Sequence, residues 1–423
     1  MTDLKSKRLN KFFKLFRFEN PLFVFDPAFN KLNFLFRTLW FYISKLIWPY
    51  PFGFYYGYNM MPTAAWSDPR IIFSVLFHAG ILIFALIKLT KKHTLSFAIL
   101  FYLVTISVFT NWFLFIPGIV AERLAFFPSL GFCIAFAWFI FFIFRADPLK
   151  EGLPMHSKTG ILMMAILISI GYGIIDIKRN RDWKDDLTLF SRDIGYLRNS
   201  AKANELYASR LMQDALPKLL AGNALAGDSL IAFRAMDHLK LALSIDPTYK
   251  FAWNNLGMLY FNLSGKRENA IESFRNAVNI DPSYAKAQYN LGHALSVSGK
   301  AGASVIHYKI AISSDPNFIP PRLELAGLLY AQGDLGSAIA LNESVMRIDP
   351  NLDLPYINIG NYHLLQKDTI KAISYWEQGF VRNPTDIILC ANLAGFYQHA
   401  GDMEKSSYYM KRLTELQNRR KSD

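Results

Sequence analysis

Two sets of side chains in this 423-residue chain have types and spacing that could do chemistry. Glu122 and Arg123 stand side by side just before the apolar run 126–144. A guanidinium next to a low-dielectric region can grip a phosphate through two parallel hydrogen bonds, so the pair reads as a lipid-phosphate site or as an ion pair anchoring a helix end. The second set is Asn255, Asn290, Asn358 and Asn392, with Glu324 in the third place, at one position of a recurring pattern. An amide offers donor and acceptor together and so matches the backbone of an extended peptide in a groove, while the same residue also serves folding in helical repeats. His78 lies alone in an apolar stretch and reads as a packed residue, and Asp185-Asp186 reads as a helix start or solvated face. No Ser/His/Asp set, Gly-rich phosphate loop or Cys/His metal spacing occurs, so no catalytic residue is named and no metal or cofactor is called for. Cys133 and Cys390 lie in differently organised parts and give no disulfide framework.

The amides are positioned by a repeat. Asp246-Pro247, Asp281-Pro282, Asp315-Pro316, Asp349-Pro350 and Asn383-Pro384 recur about every 34 residues, the period of tetratricopeptide (TPR) repeats. Between them lie small residues at Gly257, Gly292, Ala326, Gly360 and Ala394, then at Ala270, Ser304, Ala338, Ala372 and Ser406, which let paired helices approach closely. Turn glycines follow at Gly265, Gly299, Gly333 and Gly401, with Lys367 in the place of a fourth. A single repeat cannot bury its apolar face, so the pattern predicts about five stacked repeats over 250–420 that form a superhelix with a concave groove. Ala201–Leu220 and Ser229–Ser244 read as a divergent pair capping one end, and Lys411–Asp423 as a polar tail capping the other.

Glu122 and Arg123 belong to a different solvent. The chain is 52% hydrophobic and 15% aromatic, and the excess is concentrated before Asp176. Runs 71–87, 95–116, 126–144 and 159–175 lack Asp, Glu, Lys and Arg and approach the ~20 residues that cross a bilayer as helix. Residues 34–48 carry Arg37 and Lys45 and read as a span, a re-entrant helix or an interfacial one. This divides the chain into a membrane domain over 1–180, a linker and capping pair over 181–249, and repeats over 250–420: an all-α protein in which a multi-span membrane domain precedes a TPR superhelix. Lys88, Lys91 and Lys92 in one short loop and Arg145, Lys150 and Lys158 in another, against none in 117–122, place those two loops in the cytoplasm. The repeats then fall in the periplasm or an organelle lumen, anchored to a bacterial inner membrane or an ER-type membrane. About half of the +13 net charge lies in the first fifty residues, where anionic lipid accounts for it without nucleic acid.

The run from Val120 to Cys133, with Ala121-Glu122-Arg123 and Pro128-Ser129-Leu130-Gly131-Phe132, resembles a signature of the transmembrane and tetratricopeptide-repeat protein O-mannosyltransferases. Glu19-Asn20-Pro21, the aromatic segment from Trp40 to Pro62, Asp68-Pro69-Arg70, and Arg181-Asp182-Trp183 resemble further elements of that family in the same order. The resemblance implies a GT-C type glycosyltransferase relative that takes mannose from a polyprenyl-phosphate donor and modifies client polypeptides held by the repeats. It also implies that the family's catalytic acidic loop would precede Met1, to be supplied by a companion membrane subunit or an upstream segment. Two readings share this architecture: the acceptor-binding part of such a transferase, and a non-enzymatic membrane-tethered scaffold for protein assembly.

Overall fold

The computed structural model describes residues 28–56, 60, 65–91, 93–110, 120–147, 152–221, 225–263 and 265–422. Among these the protein is all-α, with one isolated bridge pairing Tyr56 and Val120. The chain separates into two compact units, 1–255 and 256–423.

The first unit begins with α1 (Ala28–Ile47), α2 (Pro69–Leu89), α3 (Thr94–Ser107), α4 (Phe126–Ile143) and α5 (Met155–Asp182). Pro69 opens α2 with its fixed backbone angle, and the Asp68 carboxylate caps it by accepting from the Arg70 N–H at 2.9 Å. Among the described residues, α2, α4 and α5 are long and apolar enough to cross a membrane. The run expected to span 95–116 is helical over the 14 residues of α3, and 111–119 lie outside the described residues. Leu76, Phe126 and Leu167 are among the many large apolar side chains on outer faces, a surface costly in water and natural in hydrocarbon. Gly131 lets α4 press on α3: a Cβ there would lie 2.5 Å from the Ala98 carbonyl oxygen. His78 ties α2 to α3, with Nδ1 2.8 Å from the Ser74 carbonyl and Nε2 3.2 Å from the Tyr102 hydroxyl, so it packs as its sequence setting suggests.

The same unit continues through α6 (Asp186–Asp193), α7 (Ala201–Leu220) and α8 (Ala226–Ile245), and ends inside α9 (Lys250–Asn262). Arg179 near the end of α5 forks onto Asp193 at 2.7 and 2.8 Å, with Phe52 and Trp183 against its guanidinium.

The second unit carries α10 (Arg267–Ile280), α11 (Ala285–Val297), α12 (Ala301–Ser314), α13 (Pro320–Ala331), α14 (Leu335–Ile348), α15 (Leu354–Leu365), α16 (Thr369–Arg382), α17 (Ile387–His399) and α18 (Met403–Ser422). The segment expected as a polar tail from Lys411 is part of α18. Each inter-repeat Asp accepts from the N–H two residues on: Ser283, Asn317 and Asn351 at 3.0, 3.1 and 3.0 Å. The carbonyl of the following Pro then accepts from a side chain six residues later, Gln288, Arg322 and Tyr356 in turn. Three unlike side chains thus satisfy the same partly buried carbonyl at one place of the repeat. In the last repeat Cys390 holds that position, and Arg412 of α18 donates to the Pro384 carbonyl at 3.2 Å. Gly360 shows why small residues recur: a Cβ on it would lie 2.2 Å from Trp376 Nε1.

Candidate functional site

The segment carrying Glu122 and Arg123 is a short 3-10 turn, Glu122–Ala125, running directly into α4. Val120 pairs with Tyr56, and the Ala121 N–H donates to the fully buried Tyr42 hydroxyl at 3.4 Å, so the turn is pinned beneath α1. The side chains of Glu122 and Arg123 lie outside the described residues. At the start of α2, Asp68 takes both guanidinium branches of Arg70 at 3.0 and 2.7 Å. Those hydrogen bonds from the Arg70 side chain and backbone hold the Asp68 carboxyl down to about 2, well below the ordinary carboxylate range.

Of the amide row, Asn255 lies in the first unit and is wholly engaged. Its Nδ2 donates to Glu205 Oε1 at 3.0 Å and Ser209 Oγ at 2.9 Å, and its Oδ1 accepts from Asn254 at 3.3 Å. The others lie in the second unit, on the first helix of successive pairs. Asn290 is half-buried on α11. Glu324 on α13 is 3.9 Å from His293 of α11, an ion pair when the imidazole is protonated. Asn358 donates to Asn342 Oδ1 at 3.1 Å, and Asn342, fully buried, donates to the Ala338 carbonyl. Asn392 on α17 donates to Asn361 Oδ1 of α15 at 3.3 Å. All five positions are half-buried: Asn255 and Asn358 join networks that reach the buried Glu205 and Asn342, while Asn290, Glu324 and Asn392 stand on the first helices α11, α13 and α17.

Among the described residues no group of three His, Cys, Asp or Glu side chains is placed to hold a metal ion. Cys133 is exposed and Cys390 buried, both as free thiols. Sequence reasoning marked Arg181 at the end of the apolar stretch, whereas the residue locked into contacts there is Arg179, two positions earlier. Arg37 and Lys45 entered that reading as charges that left the placement of 34–48 open, and not as members of a site. For Arg37 and Lys45 the signal available was a cation inside an otherwise apolar helix.

The TPR repeat family matches residues 261–299. The repeat half of the chain is a tetratricopeptide array. The chain is similar to protein O-mannosyl-transferase TMTC1 of the mouse (Mus musculus), 26% identical over 172 residues, which is 41% of this chain and 16% of the mouse protein. It is also 26% identical over 150 residues to human (Homo sapiens) TMTC1, covering 36% of this chain and 15% of that protein. Among solved structures it is similar to MamA, 23% identical over 40% of this chain and 93% of MamA, with a TM-score of 0.34. It is similar as well to YrrB, described as a TPR protein with an unusual peptide-binding site, 17% identical over 48% of this chain and 96% of YrrB, with a TM-score of 0.38.

Proposed function

We propose that this chain is a membrane-anchored TPR protein that binds client polypeptides on the extracytoplasmic side, as a part or relative of a polyprenyl-phosphate-mannose-dependent protein O-mannosyltransferase. The observation that carries the binding reading is the recurrence of amides at one position of the first helices, where Asn290 on α11 and Asn392 on α17 carry the donor and acceptor groups that an extended backbone needs. Glu122 and Arg123 serve the lipid phosphate in this reading, and the partial likeness to protein O-mannosyl-transferase TMTC1 supports it. The Lys and Arg bias of the loops around 88–92 and 145–158 supports the orientation.

Client binding is tested with a permanently unfolded, reduced and alkylated protein as the probe and the full chain in detergent. Replacing Asn290 and Asn392 together by Ala should weaken capture about tenfold with little change in melting temperature; unchanged capture removes the groove reading. Orientation is tested with Cys133→Ala combined with a cysteine introduced at exposed Gln417. A membrane-impermeant thiol reagent should label it in intact cells or spheroplasts, and labelling only after permeabilisation reverses the topology. Transfer of labelled mannose from a polyprenyl-phosphate donor by membranes holding the chain, abolished by Arg123→Ala, separates a transferase part from a scaffold.

A further inference from the structure

α1, the turn at Pro51 and the first turn of α2 enclose a pocket of about 320 Å³. Arg37, Lys45 and Arg70 line it, although Arg37 and Arg70 are near enough to repel one another. Asp68 holds Arg70 in place by a two-pronged ion pair, and Lys45 is fixed by donating to the Pro51 carbonyl while lying 5.7 and 5.4 Å from the Phe41 and Tyr196 rings. The cations are therefore positioned about a common space. Trp40 and Trp48 wall the same pocket, and Trp48, 63% exposed, sits as an indole does at the boundary of a bilayer. Trp40 also meets Phe73 edge-on at 5.3 Å, and Phe73 stacks on Phe77 at 5.9 Å, so an apolar lane leads from the cations along α2. A cationic pocket opening onto an apolar lane matches one kind of molecule, a phosphate headgroup with a hydrocarbon tail.

We propose that Arg37, Lys45 and Arg70 bind the phosphate headgroup of a membrane lipid whose tail runs along Phe73 and Phe77. The inference rests on the membrane reading of these helices and on nothing in the repeat groove. Its test uses the purified full chain in neutral detergent micelles, titrated with dioleoyl phosphatidic acid and followed by tryptophan fluorescence. Saturable binding is expected, together with at least roughly tenfold weaker binding in Arg37→Gln and in Lys45→Gln, since hydrogen bonds to charged groups carry that much affinity. Arg37→Lys, which keeps the charge and loses the fork, should fall between. Dioleoylglycerol, with the same tails and no phosphate, should not bind. Equal binding of dioleoylglycerol, or unchanged phosphatidic acid binding in both glutamine variants, overturns the proposal. Inorganic phosphate binding as tightly as phosphatidic acid would make this a plain anion site and overturns the lipid assignment. Circular dichroism keeps a misfolded variant from being mistaken for a result, and the second variant then decides. Flotation of the chain with liposomes separates the two failures: a chain that does not float loses the membrane reading, and one that floats without binding loses this inference alone.

Discussion

The helix pairs of the second unit and the apolar helices of the first are stabilised by opposite strategies. In the pairs one geometric need recurs, and whichever side chain stands at the right step meets it: Gln288, Arg322 and Tyr356 each donate to the proline carbonyl six residues earlier. In the first unit the polar contacts that tie one segment to another differ in kind from place to place: Tyr42 to Ala121, His78 to Tyr102, Arg179 to Asp193. A periodic solution spreads its risk over many copies, whereas a contact used once has no copy to take over. Substitutions of similar chemistry should therefore cost more where a contact is unique, which the following experiments can break or sharpen.

The largest effect is expected at Arg179. Its side chain is 10% exposed and that of Asp193 is 5%, so Arg179→Met strands a buried carboxylate, a loss of about 3–5 kcal/mol. Proteolysis after Trp183 and a lowered melting temperature would report it. Arg179→Met with Asp193→Leu should recover most of the loss, because the pair removed together leaves no unpaired charge. A loss below about 1 kcal/mol in the single variant would mean that this junction is held elsewhere.

A smaller effect separates two glycines of the second unit. At Gly360 a Cβ would meet the Trp376 indole, so Gly360→Ala should destabilise by about 1–3 kcal/mol. At Gly327, inside α13, a Cβ meets nothing within 4 Å and the backbone is helical, so Gly327→Ala should stabilise by up to about 1 kcal/mol. Denaturant midpoints of the two variants should move in opposite directions. Movement in the same direction would show that close approach at Gly360 yields easily.

These contrasts also explain what was legible in the residues alone. Asp-Pro spacing, small residues at fixed steps and turn glycines encode local geometry, and they foretold an all-α repeat array because each repeat restates the same rule. The apolar runs were legible for the same reason, since composition over ~20 residues is itself local. Partners were not. Nothing near Asn255 in sequence announces Glu205, fifty residues earlier, and nothing near Arg70 announces Arg37. The amide row was visible as a row, but the networks that engage Asn358 and Asn255 depend on Asn342 and Ser209, which have no periodic mark. Arg412 substituting for a donor at Cys390 was hidden likewise, because the need is periodic while its answer comes from another helix.

Lys367 tests whether a departure from the repeat rule carries a cost. The turn residues Gly265, Gly299, Gly333 and Gly401 have φ of 72°, 76°, 85° and 76°, and Lys367 adopts 62° in the equivalent turn. A side chain in that left-handed region costs roughly 1–2 kcal/mol, partly offset by the greater freedom glycine has in the unfolded chain. Lys367→Gly should therefore raise the denaturation midpoint by an amount equivalent to about 1 kcal/mol, with the slope of the transition unchanged. A lower midpoint would show that the lysine side chain makes up the difference.

The smallest effect concerns charge within the last repeat and has a definite sign. Asp386 caps α17 by accepting from the Leu389 N–H at 2.7 Å, and its carboxyl titrates above the ordinary range because burial disfavours the ion, with nearby Asp353 adding to the shift. The native state thus holds the Asp386 proton more tightly than the unfolded chain does. The stability this provides is present in acid, below the unfolded carboxylate pKa, and is lost as pH rises through the higher native value. At neutral pH the ionised group is a mild liability, reduced by its partial exposure. Asp386→Asn keeps an oxygen for the cap and removes the titration, so the variant should melt slightly above the wild type at neutral pH. The gap should close as pH falls through the carboxylate range. A gap that stays constant across that range would locate the effect in the cap rather than in the charge, and a wild type that melts higher at neutral pH would reverse the sign argued for Asp386.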